Sequence, residues 1–242
     1  MEFIIAKDYD EMSRLAADRI AACLAEKPDC VLGLATGSTP IGLYADLVED
    51  CKAGKIGFAG ATTFNLDEYR GLDPKHVQSY RYFMQSHLFD HVDVDVSRTH
   101  VPDGANPDAQ AACDEYERAI DEAGGIDLQL LGLGHNGHIG FNEPDEAFPV
   151  TTHVVALTES TIMANSRLFD SIDEVPREAY TMGVGTIMKA RSILVVASGA
   201  DKAGIVKEAF FGPVTPKVPA SALQLHPNVT VIVDAEAGSL CA

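Results

Sequence analysis

Positive charge is scarce in this chain. Its 242 residues carry 18 Lys and Arg against 36 Asp and Glu, a formal charge of −18 with histidine neutral. Nucleic-acid and anionic-membrane partners demand a basic stripe, so the shortage argues against both. It also means that an anionic ligand needs local cations to overcome an adverse global field; most of the acidity serves solubility. Long hydrophobic runs are missing as well. Nothing approaches the roughly 20 apolar residues of a membrane span, and Met1–Asp8 lacks the basic n-region and apolar stretch of a signal peptide. The cytoplasm is the compartment expected. The five cysteines, Cys23, Cys30, Cys51, Cys113 and Cys241, are odd in number and widely spaced, with no CxxC pair and no zinc-type Cys/His cluster. They read as free thiols, several of them buried.

No repeat, low-complexity tract or Ser/Gly linker interrupts the sequence, which predicts a single domain over 1–242. Short apolar runs alternate with amphipathic helical stretches. That pattern predicts an α/β fold, a mostly parallel sheet flanked by helices in an open, doubly wound, Rossmann-like arrangement. Strands are predicted over 30–35, 62–66, 128–133, 152–157, 192–197 and 229–233. Helices are predicted over 9–25, 40–51, 79–89, 108–123, 158–170 and 202–210, and the tail 235–242 is expected to be frayed or loosely docked. In such sheets ligands sit beyond the carboxyl ends of the strands, so the segments after each apolar run carry the information.

After the first of these strands comes Ala35-Thr36-Gly37-Ser38-Thr39-Pro40, opening a helix. Small residues let backbone N–H groups approach an anion, hydroxyls add donors, and the helix dipole favours negative charge. The alternative is a plain turn with Thr39 as N-cap and Pro40 in the first helical position. It is not a nucleotide P-loop, lacking GxxxxGK[ST]. After the second comes Asn65-Leu66-Asp67-Glu68-Tyr69. The two carboxylates suit a general base and a neighbour that tunes it, though alone they read first as a capped turn.

The third apolar run leads into Gly132-Leu133-Gly134-His135-Asn136-Gly137-His138-Ile139-Gly140-Phe141-Asn142-Glu143-Pro144. Its GxGxxG match is a poor dinucleotide signal, because Pro144 and Pro149 oppose the long helix that such a site needs. His135 and His138 have only Glu143 as a nearby third ligand, so a metal site is a weak reading. What remains is a glycine-rich loop placing Asn136, His138 and Glu143 together. A histidine oriented by a carboxylate moves protons near neutral pH. Arg167, in Asn165-Ser166-Arg167, and Lys202, just past the strand 192–197, are each ordinary as surface cations. With Thr36–Thr39 they would make a local positive pocket.

Taken in order, Ala35–Pro40, Asn65–Tyr69, Gly134–Pro144, Ala164–Arg167 and Leu223–Pro227 resemble the glucosamine-6-phosphate deaminase (glucosamine-6-phosphate isomerase) family over essentially the whole chain. The most specific stretch is NGHIGFNEP. The resemblance implies conversion of glucosamine 6-phosphate and water to fructose 6-phosphate and ammonia, with no metal or organic cofactor. By that likeness His138 opens the sugar ring, with Asn136 and Glu143 orienting it, and Asp67 moves a proton from C2 to C1. Thr36, Gly37, Ser38, Thr39, Arg167 and Lys202 would hold the phosphate. Some relatives carry Asp at the position of Asn136; an amide cannot supply that charge, so Glu143 is expected to be the main charged partner.

The chain departs from the large allosteric members at Glu146, His153 and Val155, where they place a Ser and an Arg-x-Lys pair that help bind an activating N-acetylated sugar phosphate. Glu146 would repel a phosphate, so the expectation is a monomer or small homo-oligomer without that activation. Two other readings compete. A 6-phosphogluconolactonase of the same fold needs no carbon base at Asp67. A sugar-phosphate sensor has no use for a carbon base together with a His–carboxylate pair, and no basic helix-turn-helix region precedes Cys30.

Overall fold

The computed structural model describes residues 1–157, 159, 162, 163, 169 and 171–241. Among the described residues, ten strands fall in two sheets. The larger has the order β1 (Glu2–Ile5), β10 (Val229–Val233), β9 (Ser192–Ala197), β6 (Leu128–Leu131), β2 (Val31–Leu34), β3 (Thr62–Asn65) and β5 (Thr99–His100). Every pairing in it is parallel. The near-continuous burial of β2, β6 and β9 explains their largely apolar sequences, which parallel strands covered on both faces require.

The helices begin where local chemistry starts them. Asp8 caps α1 (Tyr9–Glu26) by accepting from the Glu11 N–H at 2.9 Å, and Asp108 caps α4 (Ala109–Glu122) through the Ala111 N–H at 3.1 Å. Helix α1 buries Met12, Ala16, Ile20 and Leu24 on one stripe and packs on β9, β10 and α2 (Ile41–Lys52). Each such Leu, Ile or Met contributes about 1.5–3 kcal/mol by burial. Further helices among the described residues are α3 (Tyr80–His87), α5 (Val184–Met188) and α6 (Ala203–Phe211).

Several short elements depart from the expected set. Edge strand β1 is four residues long and only partly buried, too short to leave a periodic signal. The segment 152–157 does form a strand, β7 (His153–Ala156), but in a separate antiparallel sheet of order β4 (Asp67–Tyr69), β8 (Glu178–Thr181), β7. Neither β4 nor β8 has the apolar run of a core strand. The tail is docked rather than frayed: Ala237 is fully buried and its N–H donates to Asp234 Oδ1 at 2.7 Å. The helix predicted over 158–170 lies largely outside the described residues. Among those described, no helix is long and apolar enough to cross a membrane.

Strand β2 is the switch point. The chain leaves it for β3 on one side and later returns through β6 on the other. The loops after β2 and β6 therefore diverge at the carboxyl edge, and a crevice opens between them.

Candidate active site

That crevice is a cleft of about 360 Å³. It gathers Thr36, Gly37, Ser38 and Thr39 from the loop after β2, Asp67 from the start of β4, His135 and His138 from the loop after β6, and Lys202 from the segment after β9. Residues far apart in sequence meet because each follows the carboxyl end of a neighbouring parallel strand.

On one wall, Gly37 adopts φ +106°, a conformation that favours glycine, and turns the chain into α2. The helix begins at Ile41 with Pro40 before it, and no side chain of that flank caps it. Tyr9 of α1 takes the role considered for Thr39: its hydroxyl accepts from the Gly42 N–H at 2.9 Å and donates to the Thr39 carbonyl at 3.0 Å. The loop's hydroxyls and the amino end of α2 thus line the cleft, an arrangement suited to an anion. Opposite, Lys202 Nζ donates to the Leu133 carbonyl at 2.8 Å, and burial pulls its pKa down.

Asp67 is buried, and no described donor bonds its carboxylate. Burial first, and the charge of Glu68 second, raise its pKa to about 8. Glu68 is wholly enclosed and accepts backbone N–H bonds from Tyr69 at 2.8 Å, Tyr80 at 3.0 Å and Arg81 at 2.9 Å. It therefore fastens β4 to the amino end of α3 and fixes the two carboxyl groups in different settings. Strand β4 also pairs Asp67 with Thr181, whose hydroxyl accepts from the Phe141 N–H at 3.0 Å.

His138 presents its ring to the cleft, with Asn136 and Glu143 behind it. Asn136 Oδ1 lies 2.7 Å from His138 Nδ1, and Asn136 Nδ2 donates to Glu143 Oε2 at 2.5 Å. With the amide oxygen as acceptor, Nδ1 must carry the hydrogen, and a neutral ring then has its lone pair on Nε2. Glu143 Oε1 stands 3.5 Å from Nδ1, and its carboxyl is held below the ordinary range by His138 and by Asn136, against burial. The amide thus relays orientation between histidine and carboxylate. Gly134 is required by close approach, since a Cβ there would stand 2.3 Å from the His138 ring. Among the described residues no three His, Cys, Asp or Glu side chains are placed to hold a metal ion.

Of the residues singled out in the sequence, Thr36, Gly37, Ser38, Thr39, Asp67, His138 and Lys202 line one cleft, while Asn136 and Glu143 support His138 from outside it. Arg167 lies outside the described residues. Tyr80 was not singled out, yet it lies half-buried against the cleft with Asp67 and stacks on Phe141 with ring centroids 6.1 Å apart. Its place in an aromatic helical run gave no signal of a site. Glu146 pairs with Lys217, and His153 Nδ1 lies 2.9 Å from the Thr151 carbonyl.

Fold and cleft together define the class: an α/β enzyme whose parallel sheet gathers a buried carboxylate, an oriented histidine and an anion-ready loop at its carboxyl edge. The chain belongs to the glucosamine-6-phosphate isomerases/6-phosphogluconolactonase family, whose model matches residues 7–232. Glucosamine-6-phosphate deaminase of Halothermothrix orenii is 57% identical over 240 residues, spanning 99% of this chain and 100% of that one. A solved structure described as a monomeric glucosamine-6-phosphate deaminase is 46% identical with a TM-score of 0.95, covering 99% of this chain and 100% of its own. A 6-phosphogluconolactonase from Trypanosoma brucei shares the fold at 20% identity, with a TM-score of 0.76 and coverage of 100% and 98%.

Proposed function

We propose that this protein converts glucosamine 6-phosphate and water to fructose 6-phosphate and ammonia. The observation that carries this reading is the meeting, in one cleft, of a buried carboxylate and a histidine Nε2, neither with a hydrogen-bond partner among the described residues, and a hydroxyl-rich loop at a helix start. The full-length likeness to glucosamine-6-phosphate deaminases supports it.

The phosphate binds at Thr36–Thr39 with Lys202, and Arg167 is assigned to it by the family resemblance. Anchoring the remote phosphate orients the reacting carbons. His138 moves a proton between the anomeric hydroxyl and the ring oxygen, so that the C1–O5 bond breaks and an open-chain aldehyde forms. Asn136 and Glu143 hold the ring and stabilise its charged form. Asp67 then removes the proton from C2, giving a 1,2-enolamine, and returns it to C1. C2 is left as an iminium carbon, water adds there, and ammonia departs to leave the ketone. Burial keeps Asp67 basic enough to take a carbon-bound proton, and the substrate's own amino group, when cationic, favours the ionised carboxylate. A lactone hydrolase would have no use for such a base.

The enzyme works in the cytoplasm as a monomer or small homo-oligomer. Its five free cysteines fit a reducing compartment. The pairing of Glu146 with Lys217 supports the absence of an N-acetylated sugar-phosphate activator site there.

The test is ammonia release from glucosamine 6-phosphate by the purified chain in EDTA, with fructose 6-phosphate assayed in parallel. Equal formation of both products is expected. Tight sugar-phosphate binding without turnover would overturn the deaminase and favour the sensor. Hydrolysis of 6-phosphogluconolactone without ammonia release would favour the lactonase.

A further inference from the structure

One cleft residue has no part in the proposed mechanism. His135 stands between Gly134 and Asn136, lines the same cleft as Thr36–Thr39 and Lys202, and leaves 73% of its side chain exposed. Its Nε2 lies 2.6 Å from Asp201 Oδ2, across 66 residues of sequence. The contact ties the loop after β6 to the segment after β9, next to Lys202.

We propose that His135 is a further anion-binding residue of the cleft, and that Asp201 is the counter-ion it exchanges for the substrate's phosphate. The inference rests on the sugar-phosphate reading of the cleft. Three observations carry it. Among the described residues lining the cleft, the side chains able to bear positive charge are Lys202, His135 and His138, in a chain of net charge −18. Lys202 is a compromised cation, because it is half-buried and spends one donor on the Leu133 carbonyl. His138 donates through Nδ1 to Asn136 and is oriented for proton transfer. His135 is the cation left over: its side chain is exposed, and its Nε2 already meets a carboxylate oxygen at charge-assisted distance.

A phosphate oxygen can take the place of that carboxylate oxygen on Nε2. The exchange replaces one anionic acceptor with another, so the histidine need never hold its charge unpaired. Asp201 then faces solvent, where 61% of its side chain already lies. Such exposed pairs are weak, about 0–1 kcal/mol, so the carboxylate can be displaced. Asp201 contacts His135 directly, and the other charged and titratable groups of the cleft are Lys202 from the segment after β9, His138 from the same loop, Asp67 from β4 and Tyr80 from α3.

The test uses inorganic sulfate, which stays dianionic across the range and so does not itself titrate. Its Kd is measured by calorimetry on the full chain at about pH 6 and about pH 8.5, on either side of histidine titration. Wild type should bind several-fold more weakly at the higher pH. His135→Gln should weaken binding about fivefold at low pH and less than twofold at high pH, flattening the dependence. Asp201→Asn should tighten binding about twofold at low pH, because a competing acceptor has gone. Nitrogen-detected NMR of the imidazole supplies a readout independent of turnover: sulfate should raise the titration midpoint of His135. An unchanged midpoint, or a His135→Gln variant with wild-type affinity and slope, would overturn the proposal. Weaker sulfate binding by Asp201→Asn would overturn the exchange and make the pair a clasp between two loops. Failure of wild type to bind sulfate at all would sink the anion reading of the cleft itself, a result distinct from the loss of His135 alone.

Discussion

Replacing Asp67 with Asn should abolish the C2 proton transfer and, at neutral pH, stabilise the fold. Asp67 is buried, and its pKa rises from the ordinary 3.8 to about 8 through burial and the neighbouring Glu68. Between those values the folded protein holds a proton that the unfolded chain has released. The stability tied to this group is therefore fully present below about pH 4 and is lost as pH rises through about 8, at about 1.4 kcal/mol per pH unit. At pH 7 the loss amounts to about 4 kcal/mol. An Asn is never charged, so Asp67→Asn escapes the loss, but its buried amide lacks partners at a cost of about 1–2 kcal/mol. The net gain is about 2–3 kcal/mol, or about 4–12 °C in Tm for a chain of this size. Urea unfolding of both proteins from about pH 5 to about pH 8 should show a gap that widens with pH. Exchange of the C2 proton with solvent deuterium should vanish. A gap independent of pH, or a variant less stable than wild type at pH 8, would refute the electrostatic reasoning. Retained exchange would refute the assignment of the base.

Glu68→Gln removes the charge beside Asp67 while keeping one acceptor oxygen for the helix end. It should move the acid limb of kcat/KM down, since the Glu68 charge is the second cause, after burial, of the raised Asp67 pKa; an unmoved limb would make Glu68 purely structural. His138→Gln should slow turnover of the closed-ring sugar about 10²–10⁴-fold, the range of general acid–base catalysis, and spare an open-chain substrate. An equal loss on both would remove ring opening from its role. Gly134→Ala places a Cβ where the His138 ring lies, at 2.3 Å, so it should reproduce the ring-opening defect with substrate binding retained. Steady-state kinetics with and without N-acetylglucosamine 6-phosphate should be hyperbolic and superimposable, and sharpening on its addition would restore an activator site.

The apolar runs at 30–35, 128–133, 192–197 and 229–233 named their strands because a parallel strand covered on both faces must be largely hydrophobic. Helices α1 and α4 were legible from their apolar spacing. By contrast, β4 consists of Asp67-Glu68-Tyr69, and β8 pairs with it far along the chain; no local pattern announces a strand whose partners supply its stability. The docked tail escaped notice for the same reason. Its small residues look disordered until Asp234 accepts the Ala237 N–H.

For the site, the chemistry of single loops could be read directly. Glycines flanking His138, a carboxylate pair after a strand, and a hydroxyl-rich turn each announce what their side chains can do. Distance and burial could not be read, because they belong to pairs of residues from different strands. The tertiary structure alone inserted the Asn136 amide between His138 and Glu143, fixing which ring nitrogen is free. It alone buried Asp67 beside an enclosed Glu68, which turns an ordinary carboxyl group into a base with a pKa of about 8. And it alone brought Asp201 to His135. Sequence supplied the functional groups; their reactivity was decided by what the fold removed from water and set within hydrogen-bond reach.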